Sequence, residues 1–125
     1  MKPYYYKAKV VSVYDGDTCT CVIDLGFKLS VRVKVRLLGI DTPEVRTRDK
    51  EEKEKGLSTR DWLRERILDK DVLLHTKEKG KFGRWLGMIW TIEEDKPSFE
   101  NSYNKQLIKE GLAKEYWGGK RWNIV

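Results

Sequence analysis

Cysteine and histidine are nearly missing from this 125-residue chain, which has two of the first, Cys19 and Cys21, and one of the second, His75. Two cysteines spaced two apart on a strand share one face, a poor geometry for bonding each other, so nothing suggests a disulfide framework. They read as small buried apolar residues rather than ligands, and His75 as an ordinary strand residue. Long apolar runs are absent, so no segment reaches membrane-spanning length. The N-terminal MKPYYYKAKV lacks the apolar centre of a signal peptide, so as written the chain reads as cytoplasmic, or as secreted were a leader removed. Repeats, low-complexity tracts and linkers are missing too. Disorder is excluded by what is present, 39% apolar residues with five tryptophans and six tyrosines.

The length fits one domain over residues 1–125, enough to bury a core without staples. Lysine and arginine outnumber aspartate and glutamate by 26 to 20, a net charge of +6. Such a balance suits a polyanionic partner, nucleic acid or a phosphorylated substrate, or simply a generic basic protein.

Residues 27 to 37 alternate strictly, with Phe27, Leu29, Val31, Val33, Val35 and Leu37 set against Lys28, Ser30, Arg32, Lys34 and Arg36. Period-two patterning predicts a strand with one buried and one wet face. Thr18 to Asp24 predicts the strand before it, with Gly26 at the turn, and KAKVVSV a strand before that. Antiparallel folding about Gly26 sets Asp17 opposite Val35 or Arg36, bringing a carboxylate to a guanidinium. Leu57, Leu63 and Ile67, with Trp62 and Leu68, predict an amphipathic helix over about residues 55–68. RDKEEKEK before it, with four charges of each sign, reads as a solvated loop or helix start. Val72–Thr76 and RWLGMIWTI predict two more strands around the polar loop KEKGKFG. A second helix is expected from near Ser98 or Asn101 to Glu110, ended by Gly111. The expected fold class is therefore α+β, mainly β, a five-stranded OB-fold (Greek-key) barrel with two to three packed helices.

Three groups could carry chemistry: Asp15-Gly16-Asp17-Thr18, Arg36 with Asp41-Thr42-Pro43-Glu44, and Lys81-Phe82-Gly83-Arg84. Each has a plain structural explanation. DGDT can be a hairpin turn, DTPE a helix start with Thr42 as N-cap, and KFGR a loop tip with a solvated arginine. Their combination says more. Asp17, Asp41 and Glu44 are hard oxygen donors at strand ends, of the kind Ca²⁺ or Mg²⁺ accepts. If they converge, their repulsion needs a cation or an arginine to offset it, and Arg36 and Arg84 are available. Carboxylates, metal and two arginines equip a site for phosphoryl transfer.

VYDGDT, VRLLGIDTPE, KFGRWLG and LIKEGLAK stand in the order and approximate spacing of the staphylococcal nuclease (thermonuclease) family, which the chain resembles from about Val10 to Trp117. The resemblance implies an OB barrel and a Ca²⁺-dependent nuclease, with one ion, that hydrolyses DNA and RNA and leaves 3′-phosphate products. It implies metal ligation by Asp17, Asp41 and the backbone carbonyl of Thr42, and catalysis by Glu44 as general base with Arg36 and Arg84 as phosphate clamps. Lys81 and Phe82 match positions near the terminal phosphate and base, and Trp117 lies where the family has a base-stacking tyrosine. Asp15 matches the family's first aspartate, taken as turn-forming or as support for the ligands. Single-stranded nucleic acid is the expected partner, with no membrane, and a monomer is the family default. Phe82 in place of the commoner tyrosine, Trp117, and Gly80 where an acid is usual bear on nucleotide affinity and leave the catalytic set intact. The rival reading is a non-catalytic nucleic-acid or protein binding module of the same fold, which would not need the acids and arginines retained here. A plain single-strand binder would need them even less.

Overall fold

The computed structural model describes residues 3–117. Its strands are β1 (Tyr5–Asp15), β2 (Thr18–Gly26), β3 (Leu29–Leu37), β4 (Ile40–Asp41), β5 (Asp71–Lys79), β6 (Trp85–Thr91) and β7 (Lys114–Glu115). Its α-helices are α1 (Lys50–Ile67) and α2 (Tyr103–Lys109), and single 3₁₀ turns lie between β5 and β6 at Lys81–Gly83 and before α2 at Phe99–Asn101. Five strands close into a barrel in the order β1-β2-β3-β6-β5, and β4 pairs with β7 outside it. The fold is the mainly β, OB-like α+β barrel that the order of elements predicts, with two α-helices.

Alternation along the strands fills the barrel. Val10, Val13, Cys19, Cys21, Ile23, Val35, Leu37, Leu74 and Ile89 point inward, and Leu63 and Ile67 of α1 and Leu107 of α2 pack against them. The two cysteine thiols share a face, as expected, 3.8 Å apart and unbonded. A second apolar group, Leu38, Met88 and Trp90 with Leu86, Phe99 and Trp117, lies outside the main core. Asn104, wholly buried in α2, ties the two regions together. Its amide accepts from the Ile89 N–H and donates to the carbonyls of Leu38 and Gly87.

The structure corrects five local expectations. The β2–β3 register sets Thr18, not Asp17, opposite Arg36, because the hairpin closes on Gly26 and Leu29 around a two-residue turn, Phe27-Lys28, with an irregularity at Asp24/Gly26. Phe27 therefore sits in the turn rather than the strand. The apolar face of β3 is buried only from Val35 onward, while Leu29 and Val31 are exposed. α1 starts at Lys50, five residues earlier than its apolar stripe, because Asp49 caps it by accepting from the N–H groups of Glu51 and Glu52. In DTPE, Asp41 consequently ends β4 and Thr42-Pro43-Glu44 form a loop, not a helix start.

Candidate active site

The first acid group is built by a turn. β1 and β2 join through Gly16 and Asp17 alone, with Asp15 paired to Thr18. Gly16 is there for space and not for a left-handed backbone. A Cβ on it would lie 2.3 Å from Thr59 Cγ2 and 3.1 Å from Thr42 Cγ2. Gly56 does the same in α1, where a Cβ would meet the Glu44 carbonyl at 2.6 Å. Two glycines thus let α1 press the DGDT turn and the DTPE loop against each other.

Asp17 is buried and fully engaged. Its Oδ1 accepts from the Thr18 hydroxyl at 3.1 Å, and its Oδ2 from the Thr42 N–H at 3.3 Å. Its own N–H donates to Asp15 Oδ1 at 3.2 Å, and its carbonyl accepts from the Leu37 N–H at 2.7 Å. Burial, with the hydrogen bonding and charge of Asp17, pushes the Asp15 carboxyl up to about 7. A proton held there relieves the repulsion between the two acids.

Arg36 is the hub. Its Nη1 donates to the carbonyls of Leu37 at 2.7 Å and Ile40 at 3.0 Å. Its Nη2 stands 3.5 Å from Asp17 Oδ2 and 3.7 Å from Asp41 Oδ1. One planar fork serves four oxygens, which an ammonium could not do. Asp41 is placed by the β4–β7 pair, where it lies opposite Lys114, and its side chain is 60% exposed. Thr42 is buried, and its Oγ1 has no hydrogen-bond partner among the described residues.

Arg84 follows the 3₁₀ turn of the β5–β6 hairpin, which is closed by the Gly80 N–H donating to the Arg84 carbonyl at 2.7 Å. Its Nη1 donates to Thr18 Oγ1 at 3.4 Å, so the two arginines are linked through Thr18 and Asp17. Phe82, at φ 65° and 89% exposed, stands at the tip with the Arg84 guanidinium 5.9 Å from its ring. Trp117 packs on Phe99 at 5.0 Å between ring centroids and covers Gly39.

A pocket of about 630 Å³ opens over these residues. Arg36, Arg84, Lys81, Phe82 and Trp117, all expected from the sequence, line it together with Lys79, Tyr116, Leu38 and Leu86. Among the described residues that line it, none is acidic. Four cations and three aromatics without a carboxylate make a receptor for an anion that carries a flat ring. Sequence reasoning missed Tyr116 and Lys79. Only the β4–β7 pairing, which draws Tyr116 to the Gly39 carbonyl at 2.9 Å, could have signalled the first. Glu44 is the outlier of the expected set. It is exposed, makes no hydrogen bond or ion pair among the described residues, and is not part of the pocket lining.

Residues 34–122 match the family model described as staphylococcal nuclease homologue. The chain belongs to the staphylococcal nuclease family. It is 31% identical over 108 residues to the thermonuclease of Staphylococcus hyicus, covering 85% of this chain and 57% of that one. It is 30% identical over 112 residues to the protein ParB of Escherichia coli, covering 88% and 57% respectively. An uncharacterised endonuclease of Haemophilus influenzae is 30% identical over 115 residues, covering 92% and 53%. The chain spans somewhat more than half the length of the curated relatives it matches.

Among the described residues, no three His, Cys, Asp or Glu side chains form a metal-binding group. The donor chemistry of this staphylococcal nuclease family barrel nevertheless fits a hard cation in part. Asp17 and Asp41 flank one guanidinium nitrogen, and the exposed carboxylate of Asp41 keeps oxygen lone pairs open to solvent. A cation such as Ca²⁺, which takes six to eight oxygens, would complete its shell from water and substrate.

Proposed function

We propose that the chain is a metal-dependent phosphodiesterase that hydrolyses DNA and RNA, with single strands preferred and 3′-phosphate products. One observation carries this reading: the acid-free pocket of cations and aromatics is joined through Arg36 to the Asp17–Asp41 pair. The nuclease-named relatives support it at the level of reaction class. Asp17, Asp41 and the Thr42 carbonyl would hold one Ca²⁺, and a bound ion supplies Lewis-acid charge to a phosphate oxygen.

The protein groups do the rest. Arg36 and Arg84 donate to the non-bridging oxygens and gain strength as negative charge builds on them. Glu44, solvated and unpaired, accepts the proton of the attacking water. The water oxygen bonds to phosphorus, the bond to the 5′-oxygen breaks, and that oxygen takes a proton from solvent. Phe82, Tyr116 and Trp117 offer faces to an unpaired base, whereas a base within a duplex is already stacked.

The test is cleavage of single-stranded DNA by purified protein with Ca²⁺, with Mg²⁺ and with chelator. Cleavage in Ca²⁺ that chelator abolishes, slowed by about 10²-fold or more in Glu44→Ser, is the expected result. Cutting that ignores chelator would defeat the metal assignment. One observation favours the second reading, a binding module: Arg36 is already tied to protein oxygens, while Glu44 makes no hydrogen bond or ion pair among the described residues. Tight binding without cleavage in any metal would decide for it.

A further inference from the structure

The far half of β3 offers a different surface. β2 pairs with its whole length, but β6 reaches β3 only over Val35–Leu37. Among the described residues, the outer edge of Leu29–Val33 has no ladder partner, so alternate N–H and C=O groups there face outward. The apolar side of the same hairpin is uncovered: Leu25 is 48%, Leu29 61% and Val31 40% exposed. Phe27, at the tip, is 97% exposed. Phe27 and Lys28 hold φ of 54° and 62° in a two-residue turn that favours asparagine and glycine, so a bulky aromatic gains nothing there from the chain itself. The other side carries Arg32 and Lys34, with Lys28 in the turn beside them, all exposed. Among the described residues, none of the three has an ion-pair partner.

We propose that this edge receives an extended peptide segment of a partner protein, in which acidic and apolar residues alternate, as an added strand beside Leu29–Lys34. Each feature of the surface matches a feature of such a segment. Its backbone completes the open ladder, its acids meet Lys28, Arg32 and Lys34, and its apolar residues extend the cover over Leu29 and Val31. Other occupants each fail one requirement. A second copy paired antiparallel through β3 would bring the same basic side of the strand against itself. An anionic lipid surface would take Phe27 and the leucines but leave the edge N–H and C=O groups unpaired. Nucleic acid would answer the cations and neither the apolar side nor the period-two backbone. The site lies on the opposite half of β3 from Arg36 and does not depend on the nuclease reading.

The probe is an acetylated, amidated, fluorescein-labelled octapeptide alternating Glu with Val, titrated against the full chain by anisotropy. Saturable binding is expected, weakened about tenfold or more when alternate amides that face β3 are N-methylated, both registers being tried. Arg32→Glu with Lys34→Glu should weaken it by at least as much, and a peptide with Lys in place of Glu should then bind the doubly reversed variant. Circular dichroism of that variant should match the parent, since both side chains are exposed. Binding indifferent to N-methylation in both registers, or to charge reversal, would overturn the proposal. So would concentration-dependent dimerisation lost in Val31→Lys, or retention on phosphatidylserine vesicles lost in Phe27→Ser without any peptide binding.

Discussion

Along β3, Val35 and Leu37 are wholly buried between β2 and β6, whereas Leu29 and Val31, six residues earlier on the same alternation, are 61% and 40% exposed. The residue types are the same and the spacing is the same. What differs is the number of neighbours: two strands flank Val35–Leu37 and one flanks Leu29–Val33. The cations follow suit. Arg36, where the barrel closes, spends its guanidinium on four protein oxygens, while Arg32 and Lys34 on the open half have no ion-pair partner among the described residues. Closure turns a charge into a fixed part of the machine, and an open edge leaves it available for recruitment.

The comparison can be broken most severely at Arg36. Arg36→Leu removes the ion-pair partner of the buried Asp17 carboxylate and should cost about 3 kcal/mol in urea denaturation, besides slowing cleavage by at least about 10². Adding Asp17→Asn should return part of the stability and none of the rate. If stability stays at the parental level in Arg36→Leu alone, the hub is not holding the acids together.

Arg84 isolates the chemical half of that effect. Among the described residues, its side chain makes one 3.4 Å hydrogen bond, to Thr18 Oγ1, beside a long approach to the Phe82 ring. Arg84→Ala should therefore slow cleavage by about 10² to 10³, a barrier increase of about 3–4 kcal/mol, with stability changed by less than about 0.5 kcal/mol. A rate within threefold of the parent would remove Arg84 from the phosphate clamp.

The two halves of the strand can also be compared directly by matched truncations. Val35→Ala should cost about 2 kcal/mol by urea denaturation, and Val31→Ala less than about 0.5 kcal/mol. Equal losses would mean that the exposed half is covered in solution.

The alternation at residues 27–37 could be read from sequence because a strand's side-chain period is a local property. How much of it is buried could not, since that depends on where β6, fifty residues later, meets β3. The proximity of Asp17 to Arg36 was legible, but the register was off because the turn took Phe27-Lys28 as its centre, two non-glycine residues at positive φ. Asp15-Gly16 looked like a backbone signal, whereas Gly16 answers to Thr59 and Thr42, neither of them near it in sequence. The pocket shows the same division. Arg36, Lys81, Phe82 and Arg84 fall in the motifs VRLLGIDTPE and KFGRWLG, and Trp117 lies three residues beyond LIKEGLAK. Tyr116 enters only through the β4–β7 pairing of distant segments, and Lys79 because β5 runs three residues past the expected strand end at Thr76. Asn104, which pins α2 to β6 and the Leu38 turn, sits in an unremarkable helical run where no local pattern marks a buried amide.

Burial on the closed side of the barrel should also leave a small mark on pH dependence, through His75. Its ring stacks on Tyr5 at 4.3 Å, and Nδ1 lies 3.2 Å from the Tyr4 carbonyl. Burial lowers its pKa below the usual 6.5, the Tyr4 carbonyl opposes this, and Lys77 adds to the lowering. With the folded pKa below the unfolded one, the unfolded chain takes up the proton first as pH falls. Stability contributed by the neutral ring is therefore fully present above about pH 6.5 and is lost progressively as pH drops towards the folded pKa. Denaturation midpoints of the parent and of His75→Phe, which keeps a ring and cannot titrate, should diverge between about pH 7 and pH 5 by under about 1 kcal/mol, the parent losing more. Parallel curves would mean that the ring is protonated as easily inside the barrel wall as in water, and that burial at this position carries no charge penalty.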